Sequence, residues 1–187
     1  SPSSFQISTD ITDNSNNGVT VTAVGNALTE YFGIRKFSPG AIHLDGTFVG
    51  GYPTSLTLPS NSVFNFGTGA FTIESWLYLS PQSPLPLQTV LLLNASNAGY
   101  GGLKLSLDAN GYLNLSMQST AKSSWDFTSG PINGSISQSA WNFITVTRDG
   151  SGNIRVFNNG NVIYSANWAG TVYGGSTSYI GVLNNNT

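Results

Sequence analysis

Residues 71–79 read FTIESWLYL: Phe71-Thr-Ile-Glu-Ser-Trp-Leu-Tyr-Leu79. The stretch alternates with a period of two. Phe71, Ile73, Ser75, Leu77 and Leu79 fall on one face, and Thr72, Glu74, Trp76 and Tyr78 on the other, as in a strand with one face on a core. Its single charge, Glu74, has two readings. It is the acid of a sugar-cleaving site, or it is a sheet-face carboxylate hydrogen-bonded or paired across strands, with Arg148 and Arg155 as candidate partners. Glycoside cleavage uses two carboxylates about 5 to 10 Å apart. The chain has only two glutamates, Glu30 and Glu74, and Ser75 and Trp76 follow the second. Asp45, Asp108, Asp126 and Asp149 stand beside glycine or in turn-like segments, where aspartate serves turn geometry. The sequence lacks the pair, so no catalytic residue is expected and Glu74 reads as part of a sheet.

Outward from this stretch, short strands recur between turn signals. GVTVTAV (18–24), AIHLDG (41–46), SLTLP (55–59) and TVLLLN (89–94) read as strands. LKLSLDANGYLNLSM (103–117) reads as a hairpin turning at Asp108–Gly111, and Trp141 to Tyr164 as two further hairpins turning at DGSGN and NNGN. PQSPLPL (81–87) holds three prolines and reads as a loop. Ser119 to Ser139 reads as long loops carrying Trp125 and Phe127. The glycines of GYGG (99–102) and Gly174–Gly175 read as turns, since no strand-then-helix pattern makes them phosphate loops. No amphipathic helix emerges. The expected fold is all-β: two antiparallel sheets packed as a jelly-roll sandwich, one domain over 1–187. Phe71, Ile73, Leu77, Ile144, Val146, Ile154 and Val156 are expected in its core.

Composition narrows the function. Charged residues make up 7% of the 187 and the net charge is −2, with six scattered Lys and Arg. That excludes the basic footprint a nucleic-acid binder needs. No apolar run is long enough for a membrane helix. The absence of cysteine removes disulfides and thiol chemistry. The lone histidine, His43, has neither a second His nor a Cys with which to hold zinc. Solubility then rests on Ser, Thr, Asn and Gly, a surface that suits adhesins, secreted lectins and virion shells, with an extracellular or virion-surface location expected.

Taken in order, DNSNN (13–17) with VTAVGNA (21–27), KFSPGAIHLDGT (36–47), FNFGTGAFTIESWLYL (64–79), WNFITVTRDGSGNIRVFNNG (141–160) and SYIG (178–181) resemble a laminin-G-like domain of the concanavalin A-like lectin/glucanase group, of the kind found in phage and bacterial surface proteins. The resemblance implies a concanavalin A-like sandwich. It also implies a calcium site, with Asp45 the best-placed carboxylate and no complete ligand set. The glucanases of the group carry a Glu-x-Asp-x-x-Glu pattern that this chain lacks. Members continue past the YIG strand, so the last strands are expected to be missing here or supplied by another chain, leaving Tyr179 to Leu183 at a sheet edge that contacts another subunit.

A sugar site needs aromatic platforms with amide and hydroxyl groups around them. Tyr52, Tyr100, Trp125, Trp168 and Tyr173 all fall in expected loops, as ligand platforms or as plugs over the sandwich core. Two functions survive: a lectin-like adhesion module of a surface or virion appendage that binds a glycan, and a structural module whose sheets meet other subunits of a homo-oligomer or virion without binding sugar.

Overall fold

The FTIESWLY stretch forms β8 (Phe71–Tyr78), and its alternation is that of a strand covered on one side. The computed structural model describes residues 7–31, 33–37, 40–49, 52–81, 88–96, 100–134 and 136–181. Before β8 come β1 (Ile7–Ser8), β2 (Thr22–Val24), β3 (Leu28–Glu30), β4 (Ala41–His43), β5 (Phe48–Val49), β6 (Tyr52–Pro53) and β7 (Ser55–Leu58). After it come β9 (Gln88–Ala95), β10 (Gly101–Leu107), β11 (Leu113–Met117), β12 (Phe127–Thr128), β13 (Trp141–Arg148), β14 (Asn153–Asn158), β15 (Asn161–Asn167) and β16 (Ser178–Ile180). The described residues contain no α-helix, only one 3-10 turn at Ser62–Phe64.

Two sheets make the sandwich. One has seven strands in the order β12-β11-β10-β9-β16-β7-β2, the other four in the order β15-β14-β13-β8. A three-stranded sheet, β1-β3-β4, and the β5–β6 hairpin complete the fold, and every strand pair is antiparallel. This is the expected antiparallel jelly-roll sandwich. Its core joins Leu103, Leu105, Leu107, Leu113, Leu115 and Met117 of the larger sheet to Phe71, Ile144, Val146, Ile154 and Val156 of the smaller. Each such side chain contributes about 1.5–3 kcal/mol when fully buried. Ile73 and Leu77 pack against this core half-buried.

The hairpins form where turn chemistry predicts. Asp108 Oδ1 accepts from the amides of Asn110 and Tyr112, and Gly111 takes φ +78°. Asp149 Oδ1 does the same for Ser151 and Asn153, with Gly152 at φ +80°. Asn159 and Gly160, at φ +51° and +81°, form the tight two-residue connection between β14 and β15.

Four expectations need correction. The strand expected over 18–24 is only Thr22–Val24. The residues before it belong to a loop gathered by Asp13, whose carboxylate accepts from the amides of Ser15 and Val19. Gly101 and Gly102 lie in β10 rather than in a turn. A Cβ on Gly102 would stand 2.0 Å from the carbonyl oxygen of Tyr173, so glycine is required by the close approach of another backbone. Phe127 lies in the short strand β12 rather than in a loop. Tyr179 and Ile180 are not at an edge: β16 pairs with β7 on one side and β9 on the other. Gly181 follows with its amide donating to Val90 O, and the last two residues of that expected edge, 182–183, lie outside the described residues, as do 82–87 of the proline-rich loop.

Candidate functional site

Strand alternation sets up the site. Leu103, Leu105 and Leu107 point into the core, so Lys104 lies on the opposite face of the seven-stranded sheet. Registers place it in a row across six strands: Thr57, Tyr179, Leu92, Lys104, Ser116, Thr128. Lys104 is nevertheless only 7% exposed, and among the described residues no carboxylate forms an ion pair with it. Burial pushes its ammonium below the ordinary lysine range. Its Nζ lies 6.0 Å from the centre of the Trp125 ring, and that ring meets Tyr100 at 5.1 Å between centroids, tilted by 42°.

Local hydrogen bonds hold these aromatics. The Asp126 amide donates to Met117 O at 3.0 Å, continuing from the end of β11. The Asp126 carboxylate accepts from the Ser119 amide and hydroxyl, both at 2.7 Å, and from Lys122. This closes residues 119–126 into a loop that delivers Trp125. On the other side, the Ser96 amide donates to Tyr100 O at 2.7 Å. Gln118 ties the two sides together: its amide donates to Gly102 O, its Nε2 to Ser96 Oγ at 2.8 Å, and its own carbonyl accepts from the Tyr173 amide. Its Oε1 is enclosed and has no partner among the described residues. Gln118 continues the face of Ser116, which is opposite Lys104, so the two are diagonal neighbours on one face.

Of the five expected platform residues, Tyr100 and Trp125 come together here. Tyr173 reaches the same rim through its backbone bond to Gln118. Trp168 is elsewhere and acts as a plug: it packs half-buried against the core, 6.1 Å from Phe127 and 5.9 Å from the Arg148 guanidinium. Tyr52 is placed by its backbone, paired with Val49 in the β5–β6 hairpin, and its side chain lies outside the described part of the structure. Lys104 and Gln118 were missed. A lysine alternating with leucines reads as a solvated face, and nothing local announces the loop that brings Trp125 to it.

Asp45 stands apart, beside Asn26 and Thr54. Its Oδ1 accepts from the Thr54 hydroxyl at 2.7 Å and from the Thr47 hydroxyl and amide at 2.8 and 3.0 Å; its Oδ2 accepts from Asn26 Nδ2 at 2.8 Å. Burial would raise its pKa, but these bonds outweigh it and hold the carboxyl well below the usual range. Each oxygen already serves a donor, whereas calcium wants six or more oxygen ligands around it. Among the described residues no group of three His, Asp or Glu side chains is placed to hold a metal. His43 is exposed on β4, its Nδ1 3.9 Å from Glu30 Oε2.

Glu74 lies exposed on the outer face of the four-stranded sheet, directly opposite Thr145. Of its two expected partners, Arg148 is on the opposite, buried face, its guanidinium given to the carbonyls of Gly67, Gly69 and Gly170. Arg155 lies outward on β14 opposite Thr147 and forms no ion pair with Glu74. The residues around Glu74 are aromatic: Trp76 against Phe143 at 4.9 Å and Tyr78 against Trp141 at 5.5 Å. Phe37 and Lys36 lie on Trp76, the ammonium 4.1 Å from its ring centre. No second carboxylate projects from this face in β8, β13, β14 or β15.

The sequence profile of the concanavalin A-like lectin/glucanases superfamily matches residues 50–187. Among curated proteins none matches the chain. Solved structures do. The binding domain of Paraclostridial Mosquitocidal Protein 1 superposes with a TM-score of 0.73 at 20% identity, covering 97% of this chain and 44% of that one. A structure of botulinum neurotoxin type C, whose cell entry is described as dependent upon interaction with two ganglioside molecules, gives 0.66 at 18%, covering 94% and 41%. The binding domain of botulinum neurotoxin DC in complex with SialylT gives 0.65 at 17%, covering 97% and 43%. The chain spans about two fifths of the length of these structures, and at such identities the likeness is one of fold.

Proposed function

From its membership of the concanavalin A-like lectin/glucanase superfamily, to which this chain belongs, we propose that it is a non-catalytic glycan-binding module, displayed outside the cell or on a virion surface. The observation that carries this reading is the Tyr100–Trp125 pair on the rim of the larger sheet, backed by the polar groups of Gln118 and Lys104. Aromatic faces stack on the C–H faces of a pyranose, and amides and cations engage its hydroxyls and acidic groups. That several structures of the same fold are binding domains, two of them described with gangliosides or SialylT, supports it. The isolated carboxylate of Glu74 supports the absence of hydrolysis. A low-charge Asn, Ser and Thr surface and the resemblance to phage surface domains support display on an appendage. The test is a glycan array on the purified domain with Trp125→Ala as control. Binding that survives the substitution, or none at all, overturns the reading.

A second reading is an assembly module that meets a second copy of the chain. The aromatic outer face of the four-stranded sheet favours it: Phe37 is 59% and Val162 53% exposed beside Trp76, Phe143 and Phe157. Sedimentation of the purified chain decides, a dimer lost in Trp76→Ala being the expected sign.

A further inference from the structure

Among the described residues three enclosed polar atoms lack a partner: Thr89 Oγ1, Gln118 Oε1 and Asn158 Oδ1. Thr89 and Asn158 are scattered through the sandwich. Gln118 is not, because it neighbours Lys104, which is 7% exposed and has no ion pair among the described residues. A lysine at a protein surface normally buries its stem and keeps its ammonium in water. Lys104 is 7% exposed as a whole residue. It stands between Leu92 and Ser116 across the sheet face, and its ammonium lies 6.0 Å from the centre of the Trp125 ring. At 6.0 Å the ring is at the far limit of a cation–π contact and leaves the ammonium open to a stronger partner.

Gln118 has the complementary deficit. Ser96 satisfies one end of its amide, and whichever way that amide is turned the other end is left over. Buried polar groups are ordinarily hydrogen-bonded, and leaving one unpaired is costly. A largely covered cation with no ion pair among the described residues and an unpartnered amide end on one face, beside the Tyr100–Trp125 pair, form a site with specific demands: an anion for one and a hydroxyl or amide for the other.

We infer that the Tyr100–Trp125 site takes an acidic saccharide, whose carboxylate or sulfate is received by Lys104 and whose adjacent polar substituent is received by Gln118. This rests on the glycan-binding reading and adds the charge of the ligand to it. A neutral sugar would stack on the rings and leave the ammonium unpaired. An acidic one satisfies it with a charge-assisted bond, the stronger kind, in a setting from which water is largely removed.

The experiment measures binding of the purified protein to matched probes: N-acetyllactosamine, its sialylated form, its 6-sulfated form, and a glucuronate-terminated disaccharide. The acidic members are expected to bind on the order of tenfold more tightly than the neutral one, with the three acid types separating carboxylate from sulfate recognition. In Lys104→Met, which keeps an apolar stem of similar length, the acid-over-neutral ratio is expected to fall to about one. In Lys104→Arg the preference is expected to persist. Raising salt on the unaltered protein should weaken the acidic probes and spare the neutral one, a readout that needs no variant. Equal binding of neutral and acidic probes by the unaltered protein overturns the inference while leaving the glycan-binding reading standing. Absence of binding to every probe overturns both.

Discussion

Nη2 of Arg148 donates to the carbonyl oxygen of Gly69 at 2.6 Å, and Nε of the same guanidinium reaches that oxygen at 3.1 Å. Nη2 also donates to Gly67 O at 2.7 Å, and Nη1 donates to Gly170 O at 3.0 Å. A buried cation at the end of β13 thus gathers two loops, with the Phe71 ring 5.1 Å from its centre. Arg148→Ala removes the cation and leaves several carbonyls without their donor. The expected loss is about 3–5 kcal/mol, on the order of 10 °C in Tm. Arg148→Lys should recover little, because an ammonium cannot reproduce the planar fork. Thermal melts within a degree or two of the unaltered protein would refute this.

Glu74→Gln should do nothing measurable. Glu74 is exposed opposite Thr145, and such surface changes stay within about 0.5 kcal/mol. Neither form is expected to release reducing sugar from β-glucans. Release by the unaltered protein that disappears in Glu74→Gln would make Glu74 an acid after all.

Gly102→Ala and Gly150→Ala form a matched pair. At Gly102 the new methyl meets the Tyr173 carbonyl, backbone that cannot step aside, whereas at Gly150 it meets nothing within 4 Å. Denaturant unfolding should show a loss of about 1–3 kcal/mol for the first and no loss for the second. Equal stabilities would mean that the loop bearing Tyr173 moves freely over the sheet.

The Trp125 loop should respond to acid in a defined window. Hydrogen bonds from Lys122 and then from the Ser119 hydroxyl and amide hold Asp126 at about 2, below its ordinary 3.8. A depressed folded-state value stabilises above the unfolded value and is lost as pH falls through the folded one. The difference in tryptophan fluorescence between the unaltered protein and Trp125→Phe is therefore expected to be steady above pH 4 and to change from 3.8 down to about 2. A transition centred near pH 6 would assign it to another group.

Calcium is expected to leave the melting temperature unchanged, because a cation at Asp45 must displace donors from Thr47, Thr54 and Asn26. Asp45→Ala should cost about 1–3 kcal/mol with or without chelator. A stabilisation by calcium that Asp45→Asn abolishes would reverse that view.

What the sequence made legible is what local chemistry decides. Asn159-Gly160 and the aspartates at 108 and 149 announce their turns within a few residues, and the leucines of β10 announce a buried face by alternation alone. What it hid depends on distant chain. Gly102 is glycine because residue 173 passes over it. Lys104 is buried and stands 6.0 Å from Trp125, which a loop of distant sequence brings to it, and a lysine between leucines carries no sign of that. Tyr100 and Trp125 were each recognisable as loop aromatics, but their meeting depends on where Asp126 anchors the loop. Arg148, alternating with Ile144 and Val146, was readable in hindsight as an inward residue, since Glu74 lies on the other parity of the sheet.

The position of β16 also bears on how the protein is made. Strands β9 to β12 form one hairpin-linked block, β2 and β7 another, and in the described structure Ser178–Ile180 is the strip that joins them. The larger sheet therefore stays in two pieces throughout synthesis until residue 180 has left the ribosome, and its closure depends on pairings of high contact order, which are slow. The β10–β11 and β13–β15 hairpins are free to form much earlier. Pulsed hydrogen exchange during refolding is expected to protect amides of β10 and β11 before those of β7. If β7 is protected as early as they are, the two blocks find each other without the strip between them.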